Sequence, residues 1–152
     1  MAQHSNIRIT SVATGNGTWS VVGNLATFTT SADNANISVT ELQNYLRNYS
    51  VEINTSRGSG TQVGSVIFEV DVIPNKNTDA GVFDFTIRSG GEVQFNSNLS
   101  LRNATRTYNP GYNLVVVAGG SVRVGGVLDV SGATNGDGYM SLPVAGIVSM
   151  VI

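Results

Sequence analysis

The chain contains no cysteine, which excludes disulfides, thiolate metal sites and cysteine nucleophiles. Its single histidine, His4, lies in the N-terminal stretch and reads as a surface residue, so Ser-His-Asp and histidine–metal arrangements have no support. Charge is scarce too. Charged side chains make up 12% of the residues, with one lysine, Lys76, and a net charge of -2. Ordinary domains carry about twice that share. No basic patch is available to attract nucleic acid or an anionic membrane surface. Long apolar runs are also missing. A membrane-spanning helix needs about 20 consecutive apolar residues, and the most apolar stretch, 139–152, is shorter and broken by Pro143 and Gly146. Met1-Ala-Gln-His-Ser-Asn has neither the basic start nor the apolar run of a secretory leader. The chain therefore reads as already processed or as a piece of something longer.

Glycine (18 residues), with Asn, Ser and Thr, stands where charge would be, and hydrophobic residues reach 41%. Small polar residues suit closely stacked turns. The pattern around which they are arranged is a unit stated twice. Phe85-Thr-Ile87-Arg-Ser-Gly90-Gly91-Glu-Val93-Gln-Phe95, then Leu99-Ser-Leu101, matches Leu114-Val-Val116-Val-Ala-Gly119-Gly120-Ser-Val122-Arg-Val124, then Leu128-Asp-Val130. The two copies align without a gap at an offset of 29 residues, inside the range that marks solenoids and arrays. Each apolar run alternates, as a half-buried strand does. Each Gly-Gly pair sits where the chain must turn a corner with no Cβ in the way. Strand, corner, strand, corner, strand describes one coil of a β-solenoid.

A looser copy precedes these two. Val51-Glu-Ile53 leads to a Gly/Ser-rich corner, Arg57-Gly-Ser-Gly60, and then to Val66-Ile-Phe68-Glu-Val70-Asp-Val72. About three coils result, around 51–72, 83–101 and 114–130, near the minimum for a stable stack. The polar linkers 74–81 and 102–112 would project as loops. We read residues 1–152 as one domain, with 1–50 as an N-terminal cap, 51–132 as coils and 133–152 as an apolar tail. Within the cap, Ile7-Arg-Ile9 and the runs flanking Gly15-Asn16-Gly17 alternate as strands. Thr40 and Gln43 have the spacing of a capping box, and Leu42, Tyr45 and Leu46 give a short helix one apolar face. The main rival fold is a pilin-type antiparallel β-sandwich with the tail as donor strand, because regularly spaced turns fit that as well.

Ile37-Ser-Val39-Thr-Glu-Leu42-Gln-Asn-Tyr-Leu46, followed by Val51-Glu-Ile53, and Leu114-Val-Val-Val-Ala-Gly-Gly-Ser-Val122 resemble the haemagglutinin-type β-helical adhesins of bacteria. Ala13-Thr-Gly-Asn-Gly-Thr-Trp-Ser is similar to the start of solenoid segments in secreted surface proteins of Bacteroidota-like bacteria. The resemblance spans about residues 13–132. It implies a right-handed parallel β-helix exposed outside the cell, with adhesive or structural work and no catalytic residues to carry over. The chain departs from that group in having few coils and an apolar tail in place of further repeats.

No constellation of catalytic residues emerges. Glu69 and Asp71 would share the outward face of one strand, and Asn135-Gly-Asp137-Gly puts oxygen ligands on a turn without the several carboxylates of a Ca²⁺ loop. A solvated strand face and a plain turn account for both, and no cofactor or metal is expected. Three functions remain to separate. The first is a structural subunit of an extracellular surface filament or matrix, joined head-to-tail through β-strand contacts into a homo-oligomer. Its assembly residues would be Leu142, Val144, Ile147, Val148, Val151 and Ile152 of the tail, together with Trp19, whose first task is to cover the open end of the core. The tail either packs on its own domain or adds to a neighbour as a strand. The second is an adhesin fragment that touches carbohydrate or a cell surface through a loop bearing Tyr108 and Tyr112. The third, a carbohydrate-active enzyme, would need a carboxylate groove that the sequence does not provide.

Overall fold

Where a repeat has no gap, parallel strands can stack each residue over its counterpart one coil on. The computed structural model, which describes residues 4–75, 83–101 and 112–130 and the backbone of 148–151, has this arrangement. Strands β7 (Asp84–Ser89) and β10 (Asn113–Ala118) pair in parallel, with Leu114 over Phe85 and Val116 over Ile87. In the second sheet, β8 (Val93–Phe95) and β11 (Val122–Val124) put Val122 over Val93. In a short third sheet, β9 (Leu99–Ser100) and β12 (Leu128–Asp129) put Leu128 over Leu99. The looser copy stacks beneath. There β5 (Ser50–Gly58) sets Val51 and Ile53 against Phe85 and Ile87, and β6 (Val66–Phe68) sets Val66 and Phe68 against Val93 and Phe95. The chain is a parallel β-solenoid. Among the described residues only one pair of strands is antiparallel, β2 (Gly17–Val22) with β3 (Leu25–Thr30), so strand direction rules out the sandwich.

The stack is longer than three coils, at about four turns. The extra turn is assembled from segments that are not contiguous. β3 pairs in parallel with β5, while β1 (Ile7–Thr10) pairs in parallel with β6. On its other side β1 pairs, again in parallel, with β4 (Ala35–Ser38). The strand nearest the N-terminus thus lies inside a five-stranded sheet of order β11-β8-β6-β1-β4. The six-stranded sheet runs β13-β10-β7-β5-β3-β2, where β13 is Val148–Val151.

One apolar core runs through the coils, filled by the inward residues of alternating strands. Phe68 stacks on Phe95 with ring centroids 4.9 Å apart and meets Phe85 edge-on at 6.2 Å, so the coils share an aromatic column. Helix α1 (Val39–Asn48) closes one end and buries Leu42 and Leu46. Beside it Trp19 stacks on Tyr45 at 4.4 Å and packs on Phe28 at 5.3 Å. The capping box does not form. The N-cap is Ser38, still in extended conformation as the last residue of β4, and its side chain makes no capping bond. Gln43 is engaged elsewhere, its Oε1 accepting the Ile73 N–H at 2.9 Å.

The corners explain the glycines. A Cβ on Gly119 would lie 2.3 Å from the Gly90 carbonyl oxygen of the coil below, closer than any real contact. Gly58 has a φ of 101°, and a Cβ there would lie 2.0 Å from the Thr30 carbonyl oxygen. Coils can approach this closely only where the corner is bare backbone.

Candidate functional site

Of the residues expected to meet other copies, Trp19 and the described part of the tail, 148–151, are both engaged within the chain. The backbone of β13 lies along β10, with Leu114 opposite Val148 and Val116 opposite Met150. Val148 and Val151 thus belong to a strand docked on its own domain. Leu142, Val144, Ile147 and Ile152 lie outside the described residues, as do Tyr108 and Asp137.

Tyr112, expected on a projecting loop, is 1% exposed. Its hydroxyl donates to the Leu46 carbonyl in the last turn of α1, where helix carbonyls lack partners of their own. Burial pushes its phenol well above the ordinary tyrosine range, against a smaller opposing effect of Arg47. Tyr112 is therefore a strut between coil and cap and takes no part in a ligand loop. Tyr112→Phe should cost about 1–3 kcal/mol by leaving a buried carbonyl unsatisfied. A tyrosine whose folded pKa is raised stabilises fully below its unfolded pKa and loses that effect as the pH rises. The stability gap between the parent and Tyr112→Phe, measured by urea denaturation, should shrink above the ordinary tyrosine range.

The carboxylates serve the fold. Glu69 pairs with Arg8 at 2.7 Å, and Asp71 accepts the Asn98 N–H at 2.8 Å. Among the described residues no group of three His, Asp or Glu side chains could hold a metal ion. No helix among them is long and apolar enough to cross a membrane. His4 is not a free surface residue. Its Nδ1 lies 3.0 Å from Thr55 Oγ1, and its ring sits over Gly90, filling space that a side chain there would need.

An open groove of about 500 Å³ follows the glycine corner past Gly90, Gly91, Gly119 and Gly120. Its amides are already spent on stacking, with Gly91 N–H donating to Gly64 and Gly120 N–H to Gly91. Its one ionisable lining residue, Glu92, accepts from Gln94 and faces Arg123 at 3.6 Å. The groove carries no reactive group.

The other candidate surfaces among the described residues are strand edges. In the six-stranded sheet, β2 and β13 are outermost and each has one strand partner among the described residues. Proteins usually blunt such edges with lysine, proline or inward charge. β2 reads Gly-Thr-Trp-Ser-Val-Val and β13 reads Val-Ser-Met-Val, with no charge and no proline in either. Val22 is 81% exposed at the tip of the β2–β3 hairpin, beside the partly exposed Val21 and Leu25. The sequence identifies residues 17–22 as part of an alternating strand run and Trp19 as a cap residue, but not as an outer edge. The signal they carried was the lack of charge along an alternating run, and its meaning depended on β2 being outermost. No family model, curated protein or solved structure matches the chain.

Proposed function

We propose that the protein is an extracellular structural subunit whose copies join edge to edge into a filament or matrix. The single observation that carries this reading is the pair of unblunted outer strands, β2 and β13, at opposite ends of one sheet. Strand addition between them would extend the sheet from copy to copy. Two different edges meet in such a contact, so it is heterologous and grows into a fibre unless a rotation closes it. The resemblance of the Gly-Gly coils and the Leu42–Leu46 segment to haemagglutinin-type β-helical adhesins supports a place at the bacterial cell surface. The low charge and the glycine-rich corners suit a spacer that is rigid and chemically quiet.

Negative-stain electron microscopy of the purified protein at rising micromolar concentration tests this directly. The parent chain should form fibres with an axial repeat of one domain. The double variant Thr18→Lys/Val22→Lys changes two exposed positions of β2 and should stop fibre growth, because charge on an edge strand opposes pairing. Its stability should stay within about 0.5 kcal/mol of the parent, as for other surface changes. Isolated particles from the parent at every concentration would sink the reading and turn attention to carbohydrate binding, the adhesin alternative.

A further inference from the structure

The N-terminal strand occupies a place that its sequence neighbours do not provide. β1 sits between β4 and β6, with Ile7 opposite Ala35 on one side and Val66 on the other. Each later coil fills the corresponding position with the strand that follows directly from the first sheet, as β8 follows β7. At the level of β3 that position is filled from outside the coil, by a segment that entered the chain earlier.

The bonds along β1 run to one acceptor surface. The Ser5 N–H donates to Thr55, and the Gln62 N–H donates to His4. The Asn6 side-chain oxygen takes both the Gly64 and Ser65 N–H groups, at 3.0 and 2.9 Å. Ile7 donates to Ser65, Asn6 accepts from Ala35, and Ile9 accepts from Glu69. Arg8 pairs with Glu69, and Thr10 donates to Asn36. Ile7 and Ile9 are fully buried. All these partners lie in residues 32–36 and 55–69, and none is in β2, the element to which β1 is tethered. The tether is bound in the same way, since the Val12 and Ala13 carbonyls accept from Asn36 and Gly15 bridges to Asn36. The bend that returns the chain to its own β2 falls at Asn16, whose φ is 54°, a left-handed conformation that straightening would relieve.

We propose that the slot between β4 and β6 is a strand-acceptor site that residues 4–15 of a second copy can fill, giving a dimer by reciprocal exchange of N-terminal strands. The exchanged segment would make the same bonds and bury the same two isoleucines, so the two forms differ mainly at Asn16 and in the entropy of association. Identical contacts with a movable hinge are the condition under which proteins swap elements. Both neighbours of β1 must release it first, so exchange requires local opening and is slow until the protein is warmed. The contact is separate from the edge between β2 and β13, and a dimer of this kind would form whether or not fibres do.

The absence of cysteine makes the test clean. Arg8 and Ile67 face each other across β1 and β6, at the roughly 4.8 Å spacing of adjacent strands that a disulfide can span. Arg8→Cys and Ile67→Cys are made in separate full-length chains, mixed at high concentration, warmed to just below the unfolding midpoint, cooled and oxidised. The expected result is a disulfide-linked heterodimer several-fold more abundant than in the unwarmed mixture, and more abundant than either homodimer. The two cysteines placed in one dilute chain should close within the monomer, which checks the geometry. In parallel, the Thr18→Lys/Val22→Lys chain, whose β2 edge is closed to fibre growth, should show after the same warming a dimer by light scattering whose share rises with concentration. A Thr18→Lys/Val22→Lys chain that stays monomeric after warming from micromolar to millimolar overturns the proposal. So does a heterodimer no more abundant than the homodimers, the result of random contact between surface thiols.

Discussion

Ile9→Asp should leave the protein unfolded, although the change is nine residues from the N-terminus, where substitutions are usually tolerated. Ile9 is fully buried in the middle strand of the β4-β1-β6 array. A carboxylate there would be buried without a partner, at a cost of several kcal/mol. Domains of this size have about 5–15 kcal/mol in total. Displacing the strand to avoid that burial would forfeit the backbone ladders on both sides and expose Ile7 too. Ile9→Val, by contrast, keeps the strand and should cost only about 0.5–1.5 kcal/mol. Arg8→Ala should cost less than about 1 kcal/mol, since the Arg8–Glu69 pair is largely exposed. Circular dichroism with urea titration on the three variants gives the ranking. Full stability in Ile9→Asp would mean that β1 is not an interior strand.

Gly119→Ala is the second large effect. The added methyl would meet the carbonyl oxygen of Gly90 at 2.3 Å, and backbone cannot swing aside as a flexible side chain can. Relief requires the two coils to part at the corner, against the Gly119-to-Ser89 and Gly120-to-Gly91 hydrogen bonds. The expected loss is about 3 kcal/mol, the upper part of the range for overpacking. Gly15→Ala is the matched control. A Cβ there meets nothing within 4 Å, so the change should be neutral or stabilising by up to about 1 kcal/mol through the unfolded chain. Thermal denaturation of the pair separates a steric requirement from a general dislike of losing glycine. Equal behaviour of the two variants would refute the corner argument.

The residues that were legible in the sequence are those whose environment repeats. Phe85 and Leu114, Ile87 and Val116, and Val93 and Val122 were matched by their offset, and each pair is in register in the stack. The residues that were misread have partners found nowhere in the local pattern. Tyr112 follows a polar stretch rich in turn residues, and nothing nearby announces that its hydroxyl will meet Leu46 at a separation of 66 residues. His4 reads as part of a polar terminus until the bare glycines of the corner provide a seat for its ring. Thr40 and Gln43 have the spacing of a capping box, but β4 runs directly into the helix and Gln43 is drawn to Ile73.

The sequence by itself determined the repeat, the inward face of the strands in the matched coils and the glycine corners. Each of these follows from a short-range period acting on side-chain direction and backbone sterics. Only the tertiary structure decided that β1 enters between β4 and β6, that the stack gains a turn from non-contiguous strands, and that β2 is left outermost. Parallel pairing is nearly indifferent to which alternating apolar strand is supplied. Ile7-Arg-Ile9 and Val66-Ile-Phe68 offer the same inward pattern, and the choice of neighbour is settled by chain connectivity and by the space each corner leaves.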